Sequence, residues 1–235
     1  MSAPMQEMSP AREDVVKLIF ALSAEGHAVT NKLLVEALRV SAPSVSVMVK
    51  RLGDEQLVTR SSERGIALTE RGDTVALSVI RRHRLLETFL VQSLGLSWDE
   101  VHEEADLLEH AISDRLTERI DASLGHPRHD PHGDPIPSAE RPHDERRGIA
   151  LHDVPVGSRL RVDRVRDDDP QALRHLAAIG AVPGAVIDVD ERGPYGEPLW
   201  VRVDGRAHVL GTILAGQVHG SVLPACAVTP AEDPR

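Results

Sequence analysis

Residues 30–68, TNKLLVEALRVSAPSVSVMVKRLGDEQLVTRSSERGIAL, carry two different hydrophobic periods in succession. Leu33, Leu34, Ala37 and Leu38 follow the cap residue Thr30 at helical spacing, and Arg39-Val40-Ser41 makes a tight turn. Ser41 and Pro43 then open a second helix whose buried face is Val45, Val49 and Leu52. Two short β runs close the stretch, Leu57-Val58-Thr59-Arg60 and Gly65-Ile66-Ala67-Leu68, joined by the polar Ser61-Ser62-Glu63-Arg64. Helix, turn, helix and hairpin in that order predict a winged helix-turn-helix.

The flanks extend this reading in both directions. Upstream, Ser9 and Pro10 start a helix over 9–25 with Val15, Leu18, Ile19 and Leu22 on one side, and Gly26 ends it. Downstream, Thr69 caps a long helix to about Leu94, with Val75, Val79, Leu86 and Leu90 at helical spacing. Ser97-Trp98-Asp99-Glu100 has capping-box spacing, and Val101, Ala105, Leu108, Ile112 and Leu116 predict one further helix running to Gly125. Gly125 to Gly148 is rich in Pro, His, Asp and Gly and reads as a solvated linker. From Leu151 the pattern shifts to β runs at 159–165, 185–189, 199–203 and 207–210, with one helix near 170–178 and a two-residue hairpin turn at Asp204-Gly205. The expected fold is mainly α with a β-rich C-terminal module, divided as 1–74, 75–148 and 149–235.

Composition narrows the function. The chain has 235 residues, of which 41% are hydrophobic, and a net charge of −10, which fits folded modules rather than an acidic disordered chain. No apolar run approaches the roughly 18 residues of a membrane span, and Met1 to Glu13 has no basic-then-apolar leader, so the expected address is the cytoplasm with no membrane partner. A single cysteine, Cys226, excludes a disulfide framework and a thiolate zinc cluster, and it reads as a small packed residue. Two Trp, two Phe and one Tyr leave little for stacking on single-stranded bases.

Charge is unevenly distributed. Residues 31–72 hold seven bases against five acids, whereas 97–124 hold nine acids against two bases. On a helix, His102, Asp106, Glu109 and His110 would share an arc of about 100° beside the apolar stripe. His83 and Glu87 stack four apart on the preceding helix, and Asp14 adjoins the buried Val15. Ionisable groups at a core boundary need compensation, either from divalent cations or from ion pairs with Lys17, Arg82, Arg84 and Arg115. Spacing leaves both readings open. If metal binds, carboxylates and imidazoles without sulfur suit Mn(II) or Fe(II) better than structural zinc or copper. The linker histidines His126, His129, His132 and His143 are irregularly spaced among prolines and read as solvated.

In this order the residues resemble the diphtheria-toxin-repressor and manganese-transport-regulator family of metal-dependent bacterial transcription factors. The resemblance rests on Arg82-His83-Arg84-Leu85-Leu86-Glu87, Val101-His102-Glu103-Glu104-Ala105-Asp106, Glu109-His110, Ser113-Asp114 and His132-Gly133-Asp134-Pro135-Ile136-Pro137, behind the winged helix-turn-helix. It implies a DNA-binding domain, a helical dimerisation domain and a small SH3-like β-barrel shared with ferrous-iron transport accessory proteins, the last supported by LRHLAAIGAVPG at 173–184. Carried over, the primary metal site falls on Asp14, Asp106, Glu109 and His110. The second falls on His83, Glu87 and His102, with Asp169 at an acidic family position and Gln171 standing in for a displaced amide. Carboxylates at 14 and 106, where the iron-sensing branch has Met and Cys, imply the manganese-sensing branch, with Mn(II) as cofactor and Fe(II) as nearest rival. Lys17 stands where two-domain manganese regulators are acidic, which implies two separated sites rather than a closely spaced pair.

The implied function is a homodimeric repressor of metal-homeostasis genes, not an enzyme, that binds a double-stranded operator when metal fixes its recognition helices at successive major grooves. Ser41, Pro43, Ser44, Val47, Lys50 and Arg51 would face DNA on the recognition helix, and Arg60 and Arg64 would contact phosphates from the wing. Two other readings compete. A metallohydrolase would need an open coordination position and a general base beside the cluster, and the sequence offers no separate base there. A metal-independent winged-helix sensor would need a pocket, which so few aromatics line poorly.

Overall fold

The computed structural model describes residues 8–61, 65–138 and 148–224; Arg64, His143 and Cys226 lie outside these ranges. The described residues form two compact units. One contains residues up to 86 together with 105–128 and 136–138; the other contains 87–104, 129–135 and 148–224. No described helix is long and apolar enough to cross a membrane.

In the first unit, α1 (Pro10–Ala24), α2 (Asn31–Leu38) and α3 (Ala42–Asp54) precede the hairpin of β1 (Val58–Ser61) and β2 (Gly65–Leu68), paired antiparallel from Val58↔Leu68 to Ser61↔Gly65. Thr30 caps α2 by accepting from the Leu33 amide, and Ser41 caps α3 by accepting from that of Ser44. Between them Arg39 adopts φ +54°, the left-handed bend of the tight turn. An eight-residue helix such as α2 is not stable alone. Packing holds it: Leu34, Val45, Val49 and Leu52 join Val16 and Ile19 of α1 in one fully buried cluster, each contributing about 1.5–3 kcal/mol of burial. This is the winged helix-turn-helix expected from residues 30–68.

Thr69 accepts from the Gly72 amide and starts α4 (Glu70–Leu94). The helix expected from Val101 to Gly125 is in fact two, α5 (Val101–Leu108) and α6 (Asp114–Ser123). The Ala111 and Ile112 amides both turn back to the Leu108 carbonyl, and Ser113 restarts the chain by capping the Leu116 amide. Apolar periodicity runs through the break, so spacing alone concealed it. Leu108 and Leu116, expected on the buried stripe, are exposed.

The second unit is built on a six-stranded antiparallel sheet. Its strands are β3 (Ile149–Ala150), β4 (Arg159–Val165), β5 (Val186–Arg192), β6 (Leu199–Val203), β7 (Arg206–Leu210) and β8 (Val218–Leu223), in the order β3-β8-β4-β5-β6-β7. Two short helices, α7 (Pro170–Ala178) and α8 (Thr212–Ala215), complete it. Leu160, Val162, Leu173, Ile187 and Val201 lie at the centre of its core. Strand β8, absent from the sequence-based expectation, carries Gly220 in its interior, where a Cβ would lie 2.0 Å from the Arg161 carbonyl oxygen. The close approach of β4 explains the glycine that interrupts the strand pattern.

The segment read as a solvated linker is partly core. Asp130, His132, Asp134 and Ile136 are buried, His132 completely, while His126 and His129 are exposed. The Asp130 Oδ1 accepts from the backbone amides of His132 and Asp134, folding residues 130–134 into a tight loop. Side-chain-to-backbone bonding of this kind leaves no hydrophobic period to read.

Candidate metal centre

Among the described residues, groups of His, Asp and Glu that could hold a metal ion form in both units, Glu87, Asp130 and His132 in the second among them. In the first unit, α1 presents Asp14 and the end of α5 presents Glu109 and His110, with ligand atoms all within 4.8 Å of one another. The His110 Nε2 lies 2.9 Å from the Asp14 Oδ1 and 3.4 Å from the Glu109 Oε1. The other ring nitrogen, Nδ1, is 2.6 Å from the Glu13 Oε2, and Arg82 donates to the same Glu13 oxygen at 3.0 Å. Carboxylates face both ring nitrogens, Glu13 at Nδ1 and Asp14 at Nε2; with Nδ1 as the donor, the usual outer arrangement of a metal-ligating histidine, Nε2 would offer a lone pair beside the Asp14 and Glu109 carboxylates. Such a set needs a cation or a further proton between its members. The donor chemistry therefore fits a hard divalent ion. Glu13 has no counterpart in the sequence-based expectation; its only signal there was adjacency to Asp14.

Asp106 and Glu109 also meet Lys17. The Lys17 Nζ donates to both Glu109 oxygens (3.1 and 2.9 Å) and to the Asp106 Oδ1 (3.1 Å), and it lies 3.2 Å from the His83 Nδ1. The His83 Nδ1 is itself 2.6 Å from the Glu109 Oε2 and 3.2 Å from the Asp106 Oδ1. Asp106 thus joins the primary set through Glu109, and His83, expected in the second site, also lies beside Glu109. The ion-pair reading holds in part: Lys17 pairs with two of the expected ligands, and Arg82 pairs with Glu13.

Electrostatics follow from these contacts. Burial would raise the Glu109 pKa, but the His83 hydrogen bond and the Lys17 ammonium outweigh it and hold the carboxyl below its ordinary value. Burial would also lower Lys17, yet Glu109 and Asp106 raise it, so the ammonium stays charged. At Asp14 desolvation prevails and the pKa rises, with His110 opposing.

In the second unit, α4 contributes Glu87, α5 contributes His102 and the segment that follows β4 contributes Asp167, again with ligand atoms within 4.8 Å. The His102 Nδ1 lies 3.3 Å from the Glu87 Oε1 and 3.2 Å from the Asp167 Oδ2. Burial would raise the Asp167 pKa, but the hydrogen bond with His102 outweighs it and the carboxyl is lowered. Asp169, expected as the ligand, is instead the N-cap of α7, its Oδ1 accepting from the Gln171 and Ala172 amides. The Gln171 side chain is exposed, and among the described residues neither Asp169 nor Gln171 joins a ligand cluster. Three consecutive acids, Asp167-Asp168-Asp169, look alike in sequence; the exit angle of β4 and the start of α7 distinguish them.

The surface of α3 opposite the core presents Pro43, Ser44, Val47, Lys50 and Arg51, all exposed, with Val47 at 55%. Ser41 is exposed too, but its hydroxyl lies 2.8 Å from that of Ser44. Arg60 is exposed on β1.

Residues 7–66 match the family described as the iron dependent repressor N-terminal DNA binding domain, 69–138 its metal binding and dimerisation domain, and 149–221 the FeoA domain. The iron-dependent repressor IdeR of Mycobacterium tuberculosis is 33% identical over 199 residues, covering 79% of this chain and 86% of the relative. The diphtheria toxin repressor of Corynebacterium diphtheriae is 34% identical over 136 residues, 58% of this chain and 60% of the relative. Among solved structures, a manganese-dependent transcriptional repressor in complex with manganese is 40% identical with a TM-score of 0.82, covering 90% of this chain and 100% of that one. ScaR with bound Cd2+ is 32% identical with a TM-score of 0.78, covering 90% and 98%.

Proposed function

The chain belongs to the iron-dependent repressor (diphtheria-toxin-repressor) family of metal-dependent transcriptional repressors, and we propose accordingly that it is a manganese-responsive one, acting as a cytoplasmic homodimer on double-stranded operator DNA. The observation that carries this reading is the convergence of Asp14, from the DNA-binding helices, with Glu109 and His110. A bound divalent ion supplies the positive charge that draws these donors together. Asp14, Asp106, Glu109 and His110 are the proposed primary ligands, and Glu87, His102 and Asp167 the second set. Glu13 orients the His110 ring. Lys17 pairs with Asp106 and Glu109, so these carboxylates would have to exchange its ammonium for a divalent ion in order to hold one.

Because Asp14 sits one residue before the buried Val15, drawing it toward Glu109 and His110 restrains α1 and the helices packed on it. Restraint selects, from the orientations open to two recognition helices, those about 34–36 Å apart that a duplex accepts. Lys50, Arg51 and Arg60 would then reach phosphates or guanine, Ser44 a phosphate or a base edge, and Val47 a thymine methyl. Arg64 is proposed as a further wing contact.

Manganese is favoured by the absence of sulfur donors, which lowers preference for softer ions. Iron remains a second reading because relatives named iron-dependent share 33% identity. Titrating binding to duplexes selected from a random library with Mn(II), and anaerobically with Fe(II), at fixed salt separates the two. His110→Ala should weaken Mn(II)-activated binding by more than about 100-fold, beyond the loss expected for an outer partner, without lowering the metal-free melting temperature. A wild-type activation curve would refute the primary site.

A further inference from the structure

The loop at 130–134 touches the second ligand set without belonging to it. His132 is completely buried. Its ring stacks on Trp98, with centroids 5.5 Å apart and planes 23° from parallel. The His132 Nε2 lies 2.6 Å from the Trp98 carbonyl oxygen, so Nε2 is the donor, and Nδ1 faces the Glu87 Oε2 at 3.7 Å. Glu87, itself fully buried, thus has one oxygen toward His102 and the other toward His132.

The loop backbone meets the other arm of the same cluster. The Val165 amide donates to the His132 carbonyl at 2.9 Å, two residues before Asp167. Gly133 is so close to β4 that a Cβ would stand 2.1 Å from the Asp163 carbonyl oxygen, and Arg164 pairs with Asp134 at 3.3 Å. One short loop therefore contacts, through its ring, the carboxylate of Glu87 and, through its backbone, the strand that delivers Asp167.

We propose that His132 is a positioning residue of the second metal centre: it orients the Glu87 carboxylate and ties it to the strand that leads into Asp167, without itself ligating the ion. Outer partners of metal-bound carboxylates affect affinity by about 10–100-fold.

The inference rests on Glu87, His102 and Asp167 binding metal, and the test separates the two. Mn(II) stoichiometry and affinity of the full-length protein are measured by equilibrium dialysis and by electron paramagnetic resonance of free Mn(II). His102→Ala should lose one ion per chain. His132→Phe, which fills the space but offers no donor, should keep the wild-type stoichiometry while the affinity of that one ion falls about 10–100-fold. His132→Asn, whose amide nitrogen takes the place of Nδ1, should recover most of the loss. A simple packing defect would lower the metal-free melting temperature of both variants without that recovery. If His132→Phe loses a whole ion, His132 is a ligand and the proposal is wrong; a wild-type binding curve for His132→Phe overturns it as well. If His102→Ala binds as wild type, the centre itself is absent and both readings fall.

Discussion

Asp121 has two partners that need it ionised: Arg81 donates to its Oδ2 at 3.1 Å, and the His126 Nδ1 lies 2.8 Å from the same oxygen. Burial would raise its pKa, but His126 and Arg81 outweigh burial and lower it. A carboxyl with a depressed folded-state pKa adds stability above its unfolded value, and that stability is lost as pH falls through the folded one. Asp121→Asn should therefore cost about 1–2 kcal/mol near neutral pH, a gap that closes in acid; urea unfolding at pH 7 and near pH 3 measures it, and a gap of equal size at both would contradict the assignment. Individual roles of this kind were unevenly legible. Asp14, Glu109 and His110 could be named because a sequence pattern carries them, whereas Glu13 acts only through a ring nitrogen 97 positions away.

Helix ends account for most of what periodicity misread. The turn at 109–113 gives Glu109 and His110 their exit from α5, so these proposed ligands are placed by a helix stop and not by a helix face. At the other cluster, capping consumes Asp169 and leaves Asp167 to face His102. The two aspartates should consequently respond differently. Asp169→Ala should destabilise the β-rich unit by about 1 kcal/mol, the usual value of a helix cap, with metal stoichiometry unchanged. Asp167→Ala should remove or severely weaken one Mn(II). Paired thermal melts and dialysis distinguish them; loss of the ion from Asp169→Ala would restore the family-based ligand assignment.

For the molecule as a whole, exposed Leu107 (74%), Leu108 and Leu116 leave apolar surface on α5 and α6 that the described residues do not cover. Such surface is costly in water and fits the proposed homodimer. Leu107→Glu should yield monomers in sedimentation-velocity runs, with operator affinity reduced in step because one chain presents one recognition helix; a stable dimer would place the interface elsewhere.

The winged helix-turn-helix, the long α4 and strands β4 to β7 of the C-terminal module were readable from residue order because each is held by near neighbours: caps three residues away, apolar side chains at periods of 2 or 3.6, and short turns. The donor types were readable as well, since carboxylate and imidazole without thiolate is a matter of composition. Which aspartate faces His102, that Lys17 occupies the acids and that His132 is core came from the folded chain. Those outcomes depend on groups distant in sequence, such as Lys17 with His83 and Glu109, 66 and 92 positions apart, meeting at distances near 3 Å. No local pattern encodes such a meeting, because it is set by how whole elements pack.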